Sequence, residues 1–289
     1  MIVWPQTLVD DIARRRAVTF LGAGVSKNSI SALDADQRPP NWEEFLSACI
    51  TRCTGDVSLI KHYFDSGDYL TTCELLKIRL EDDWPQILTD QFLSPQYMPA
   101  DIHRHILGLD LRIVLTQNFD KIYDVYAQTT TNSTTRISSY YDADTSQIMR
   151  GDYRGILKVH GTIDHPTKTV FTREEYSRMR NEHRSFQALI NALFLTHTFV
   201  FLGCSLTDPD LRLFLENHSM AHPSAPVHYM TSPQSEIPLE MDGLIKKNYN
   251  LRILRYDDST GHHPLTTSVA NLVEMVNTSR ERLAVTQNW

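Results

Sequence analysis

Cysteine is scarce and badly spaced. Cys49, Cys53, Cys73 and Cys204 are the only four in 289 residues, too few and too irregular for a disulfide framework, and no CxxC pair begins a zinc ribbon. A reducing compartment and no structural metal or zinc are expected. Positive charge is also short, with 28 Lys and Arg against 35 Asp and Glu and a formal net charge of −7. No global field holds a phosphate backbone, so direct nucleic-acid binding is not expected. The one basic run, Arg14-Arg15-Arg16, stands where an N-terminal helix hands over to the first strand, where it complements the negative helix end. No apolar stretch approaches the roughly 20 residues that span a membrane. The N-terminus MIVWPQTLVDD turns acidic too early for the apolar core of a signal peptide. A soluble, cytoplasmic protein without a membrane partner is expected.

What the sequence does contain is apolar material in ordered alternation. At 41% hydrophobic and 22% charged residues, it can bury the core of a large α/β domain, which excludes disorder as the dominant state. Strand-like runs stand at 17–21 (AVTFL), 112–116 (RIVLT), 156–159 (ILKV), 198–202 (TFVFL), 227–230 (VHYM) and 251–256 (LRILRY). Their near-continuous apolar character suits strands buried on both faces of a parallel sheet. Helical segments between most of them, such as 174–195, and a helical tail over 265–280 give the order of a doubly wound α/β fold. Over 41–109 the pattern changes. Trp42, Phe45, Leu46, Leu59, Tyr63, Phe64, Leu75, Leu76, Leu80, Trp84, Ile87 and Leu88 recur at helical spacing with no convincing strand. The expectation is a single domain over 1–289 with a helical insertion at about 41–109, packed over one end of the sheet and lining a cleft there. Its aromatic residues taken singly also fit a plain core. The stretches TTTNSTT (129–135) and 232–238 read as loops.

Four strand ends carry the candidate chemistry. The first strand runs into Gly22-Ala23-Gly24-Val25-Ser26, where glycines let backbone N–H groups approach a diphosphate at a helix N-terminus. The third glycine of G-x-G-x-x-G is missing and Lys27 stands outside a P-loop setting, so neither fingerprint is met. The second ends in Thr116-Gln117-Asn118-Phe119-Asp120. Asn118 can donate to and accept from a ribose hydroxyl or a water, while Asn118 and Asp120 equally suit capping the next helix. The third is Lys158-Val159-His160-Gly161, with an imidazole suited to proton transfer near neutral pH and a glycine that permits close ligand approach. The position of His160 at a strand end sets it apart from His103, His105, His262 and His263. The fourth, FLGCSLTDPDL (201–211), is a strand, a glycine turn and an Asp-Pro helix start. It can hold the second half of a dinucleotide, and Thr207 or Asp208 can equally be an N-cap.

In this order, from Ala17 to Leu211, GAGVS, TQNFD, VHG and FLGCSLTDPDL resemble the sirtuin-like family, in particular its divergent branch of bacterial anti-phage defence proteins. The resemblance implies a Rossmann-like NAD⁺ site. In it Gly22, Ala23, Gly24 and Ser26 cradle phosphates, and Thr116, Gln117, Asn118 and Asp120 line the nicotinamide-ribose end. His160 is the catalytic histidine, beside Gly161, and Gly203 and Ser205 contact the adenosine side. Two departures separate the chain from deacetylating sirtuins. Cys204 is the only cysteine after His160, so their four-cysteine zinc module is missing, and KNSISALDADQRPP (27–40) replaces their GIPDFR-like stretch. The resemblance therefore implies NAD⁺ as substrate, hydrolysed to nicotinamide and ADP-ribose, with Asn118 and His160 as the catalytic pair. A protein deacylase or ADP-ribosyltransferase, or a non-catalytic NAD⁺ or ADP-ribose sensor, are the alternatives. An unregulated enzyme of this kind would drain its cell, so control by assembly is expected, as a homo-oligomer or with a separate sensor protein. Only one helix follows Tyr256, which puts the expected trigger on another chain.

Overall fold

The chain begins with α1 (Gln6–Ala13), an amphipathic helix of about two turns that buries Leu8, Val9, Ile12 and Ala13 before handing over to β1 (Ala17–Leu21). At the handover Arg15 adopts a left-handed backbone (φ 57°) and pairs with Asp110 at 2.6 Å. The computed structural model describes residues 1–143, 145–259 and 261–286. After β1 come the single turn α2 (Ala23–Ser26), β2 (Ile30–Ser31) and four helices, α3 (Trp42–Arg52), α4 (Ser58–Asp65), α5 (Tyr69–Leu80) and α6 (Trp84–Phe92). Then follow β3 (Tyr97–Met98), α7 (Asp101–Gly108), β4 (Ile113–Thr116), α8 (Ile122–Thr130), β5 (Thr135–Ser139), α9 (Thr145–Arg150) and β6 (Arg154–Lys158). The last third is α10 (Arg173–Glu182), α11 (Arg184–Thr196), β7 (Thr198–Leu202), α12 (Pro209–Ala221), β8 (His228–Pro233), α13 (Asp242–Tyr249), β9 (Leu251–Tyr256) and α14 (His263–Thr286).

Seven strands form one all-parallel sheet in the order β5-β6-β4-β1-β7-β8-β9, a Rossmann-like doubly wound arrangement. The three central strands β4, β1 and β7 read as near-continuous apolar runs because helices cover both faces. From β1 the chain builds one half of the sheet through β4, β5 and β6, then returns to the other side of β1 for β7, β8 and β9. The carboxyl ends of β1, β4 and β7 therefore border the crevice where such sheets take ligands.

Three elements differ from the pattern of the sequence. Strand β5 starts inside the stretch read as a loop, because an edge strand tolerates Thr and Ser and shows no apolar run. The segment 174–195 is two helices that break at His183, and β8 runs on to Pro233.

The stretch 41–109 divides in two. Helices α3 to α6 form a cap with its own core of Phe45, Leu46, Cys49, Cys73, Leu76, Trp84 and Leu88, reaching Ile163 and Phe171 of the sheet body. The short antiparallel pair β2-β3 joins the segments that enter and leave this cap. Helix α7 instead packs with α1 and α14 in the body, burying Ile102 and Ile106 beside Leu272 and Val276. Among the described residues no helix is long and apolar enough to cross a membrane.

Candidate active site

At the end of β1 the chain turns against the end of β7. The Gly22 amide donates to the Leu202 carbonyl (2.9 Å) and the Gly24 amide to the Gly203 carbonyl (3.0 Å). A Cβ on Gly22 would stand 2.4 Å from the Gly203 oxygen, and one on Gly203, whose φ is 64°, would stand 2.5 Å from the Val25 amide. These glycines are required first by the close approach of two backbones. The following helix α2 is a single turn.

Strand β4 delivers its loop to the same place. Thr116 donates its hydroxyl to Leu21 O (3.1 Å) and accepts from the Asn118 amide (3.0 Å), and the Gln117 amide also reaches Leu21 O. The Asn118 side chain donates through Nδ2 to Gly22 O (2.9 Å) and to Ser26 Oγ (3.0 Å). Because a carbonyl can only accept, this assigns the amide nitrogen inward and leaves Oδ1 as the end available to a ligand. The Ser26 hydroxyl donates a hydrogen bond to Asp120 Oδ2 (2.7 Å), and Asp120 Oδ1 caps the amide of Ile122 (2.9 Å). The hydroxyl of Ser26 and the carboxylate of Asp120 are thus committed to the network that holds Asn118.

His160 follows β6 and is buried, with Tyr176 of α10 meeting its ring edge to face at 5.1 Å. Gly161 has φ 84°, and a Cβ there would meet Lys168 O at 2.7 Å, so the turn after the histidine needs glycine. Behind this wall Lys158, fully buried, donates to Asp124 Oδ2 and to the Asp120 carbonyl, both at 2.6 Å. Burial raises the Asp124 carboxyl above its ordinary range, against the pull of Lys158. No role for Lys158 is visible in the sequence motifs alone. A lysine between Leu157 and Val159 in a buried strand was the available signal, since it must find a partner.

One cleft gathers these groups. Ala23, Ser26, Gln117, Asn118, Asp120 and His160 line it from the sheet body, and Pro40, Trp42, Phe45 and Phe92 from the cap. Gly22, Gly24, Thr116, Gly161 and Gly203 shape the loops around it. Ser205 stands at the exposed end beyond β7, where its hydroxyl donates to Glu236 (2.7 Å). Asp208 caps the amide of Leu211 (3.1 Å) and also lines the cleft. Phe171 joins the walls, with ring centroids 4.9 Å from Phe119, 5.6 Å from Phe45 and 5.3 Å from Trp84. No sequence signal marks Phe171, because nothing in its neighbourhood has a period. Burial pushes the Cys204 thiol well above its ordinary range, which leaves no thiolate at this site. Among the described residues no group of three His, Cys, Asp or Glu is arranged to hold a metal ion.

The arrangement offers a buried imidazole, an oriented amide oxygen and a largely apolar roof around one cavity, which suits proton transfer on a bound ligand shielded from water. Residues 112–254 match the model of the SIR2-like domain. The chain is 30% identical over 140 residues to the NAD(+) hydrolase ThsA of Enterococcus faecium, covering 46% of this chain and 27% of that protein. It is 24% identical over 211 residues to the NAD(+) hydrolase ThsA of Cytobacillus dafuensis (69% and 37%). To the defense-associated sirtuin 2 of Bacillus subtilis it is 25% identical over 247 residues (83% and 23%). The aligned parts therefore span between 23% and 37% of the length of these relatives.

Proposed function

Because this chain carries a SIR2-like domain, we propose that it is an NAD⁺ hydrolase that releases nicotinamide and ADP-ribose, acting as a regulated NAD⁺-depleting effector of anti-phage defence. The observation that carries this reading is the convergence of Asn118 Oδ1 and His160 on one cleft at the carboxyl ends of β4 and β6, beside the glycine turn of β1. Its similarity to proteins named NAD(+) hydrolase and defense-associated sirtuin supports the same reaction.

In the proposed reaction the C1′–N bond of the nicotinamide ribose breaks through an oxocarbenium-like transition state, and water adds to C1′. The bond's electron pair leaves with nicotinamide, which departs neutral. Asn118 Oδ1 accepts a hydrogen bond from the attacking water or a ribose hydroxyl and fixes its direction. His160, in its neutral form, takes the proton the water must lose. The aromatic roof of Trp42, Phe45, Phe92 and Phe171 excludes bulk water and gives the nicotinamide ring apolar faces to pack on. NAD⁺ is the substrate and no further cofactor takes part. As part of the same proposal, the protein works in the cytoplasm under control of assembly, as a homo-oligomer or with a separate sensor protein.

The test is chromatographic product analysis of wild-type, Asn118→Ala and His160→Ala proteins incubated with NAD⁺, with and without lysate from infected cells. Nicotinamide and ADP-ribose from the wild type, with at least about a hundredfold less from either variant while both still melt cooperatively, is the expected result. No nicotinamide under any condition, together with calorimetric binding of ADP-ribose, would replace the hydrolase by a sensor.

A further inference from the structure

A fully buried lysine in a central strand needs a reason. Within β6, Ile156, Leu157 and the adjoining Val159 are apolar, and another apolar residue at position 158 would continue that run. Lysine there loses its hydration, and a buried ion pair recovers that cost only in part, so stability alone gives little account of Lys158 and Asp124. Their contacts point elsewhere. Lys158 Nζ makes two bonds, one to the Asp124 carboxylate at the start of α8 and one to the main-chain oxygen of Asp120, both at 2.6 Å. The Asp120 carbonyl lies between the end of β4 and the start of α8, in a loop that neither strand nor helix ladder satisfies, and Lys158 supplies its donor. The Asp120 carboxylate in turn accepts from Ser26 Oγ (2.7 Å), and Ser26 Oγ accepts from Asn118 Nδ2 (3.0 Å).

We infer that Lys158 is a positioning residue for the reaction proposed above: its bond to the Asp120 carbonyl, with its charge balanced by Asp124, sets the direction of the Asn118 amide through Asp120 and Ser26. Lys158 touches no ligand. Each link is a directed hydrogen bond among buried or half-buried groups, so a small shift of Asp120 reaches Asn118 with little loss. The inference rests on the hydrolase reading for its kinetic consequence but not for its structural one, and the two are measured separately.

The experiment uses the full chain with Lys158→Met and Asp124→Leu combined, which removes both charges and leaves no unpaired ion. The structural readout is the side-chain amide resonance of Asn118 in a ¹⁵N correlation spectrum, identified by its loss in Asn118→Ala. The kinetic readout is nicotinamide release as a function of NAD⁺ concentration. A cooperatively melting variant with a displaced Asn118 resonance, kcat lowered at least about tenfold and KM within about threefold of wild type is expected, because orientation is lost while the cleft remains. An unmoved resonance overturns the inference, and so does wild-type kcat in a folded variant whose parent is active. If the wild type releases no nicotinamide, the hydrolase reading fails while the resonance still decides the positioning role. Should the first combination fail to fold, Lys158→Met with Asp124→Asn, which keeps the shape of the aspartate, is put through the same two measurements.

Discussion

The two walls of the cleft are built on different physics. The sheet wall is a chain of directed hydrogen bonds running from Gly22 and Ser26 through Asn118 and Asp120 to Lys158. The cap wall is aromatic, with Trp42, Phe45, Phe92 and the shared Phe171 in mutual ring contact. Hydrogen bonds fix direction and tolerate little displacement, whereas dispersion contacts fill space and accept ring tilts from 28° to 87°. The sheet wall can therefore aim a reacting group, while the cap wall can only shape and dry the volume in front of it. Substitutions on the two sides should fail differently.

The largest effect is expected at the residue the walls share. Phe171→Ala should lower stability by roughly 3–5 kcal/mol, since the ring is 4% exposed and packs from the sheet body into the cap core, and denaturant melts should show it. A loss under about 1 kcal/mol would mean that the cap packs without it. Gly203→Ala comes next, at about 3 kcal/mol, because the new Cβ meets the Val25 amide and the backbone is left-handed. Here the glycine turn, and with it ADP-ribose binding, should be lost together with stability.

Acid separates the sheet body from the cap. His103 on α7 and His228 on β8 are buried in the body, and burial depresses their imidazoles to about 4 and about 3. Each accepts a main-chain N–H through Nδ1, from Ala100 and Phe199 respectively, and so is held neutral. The unfolded chain takes up these protons near pH 6.5 and the folded chain does not, so stability is intact above about pH 6.5 and falls with pH below it. At pH 5 the loss should be about 2 kcal/mol per histidine. Thermal melts between pH 7.5 and 4.5 check this, and a flat Tm would show that both rings find protonated-state partners.

Smaller effects sharpen the contrast further. Ser26→Ala should cut kcat about tenfold, equivalent to about 1.4 kcal/mol, with little change in KM, by releasing Asn118. A raised KM with kcat unchanged would return Ser26 to direct substrate binding. Lys27→Ala, which breaks an exposed ion pair between the glycine turn and Glu44 of the cap, should shift stability by less than about 0.5 kcal/mol. A larger shift would show that the two walls are tied by charge as well as by packing.

The apolar runs made the sheet legible, because a parallel strand covered on both faces must be hydrophobic along its length. β1, β7 and β9 match their expected runs over 17–21, 198–202 and 251–256 residue for residue. The edge strand β5 stayed hidden because its Thr and Ser residues carry no such constraint. The expected kinship with sirtuin-like proteins is matched by the SIR2-like model over 112–254. Motif order placed Asn118 and His160 at strand ends, but no pattern along the chain links Lys158 to Asp120 or Phe171 to Trp84.

By itself the sequence determined which apolar runs are the buried strands, that they alternate with helices into a doubly wound fold, and which strand ends carry polar side chains. These follow from local periodicity, and periodicity is a property of the chain. The tertiary structure alone decided that Gly22 and Gly24 close on Gly203, that Ser26 and Asp120 serve Asn118, that α7 belongs to the body and that Phe171 joins the cap. Each of these depends on groups far apart in the chain meeting within a few ångströms, and that separation in sequence carries no trace until the sheet order brings them together.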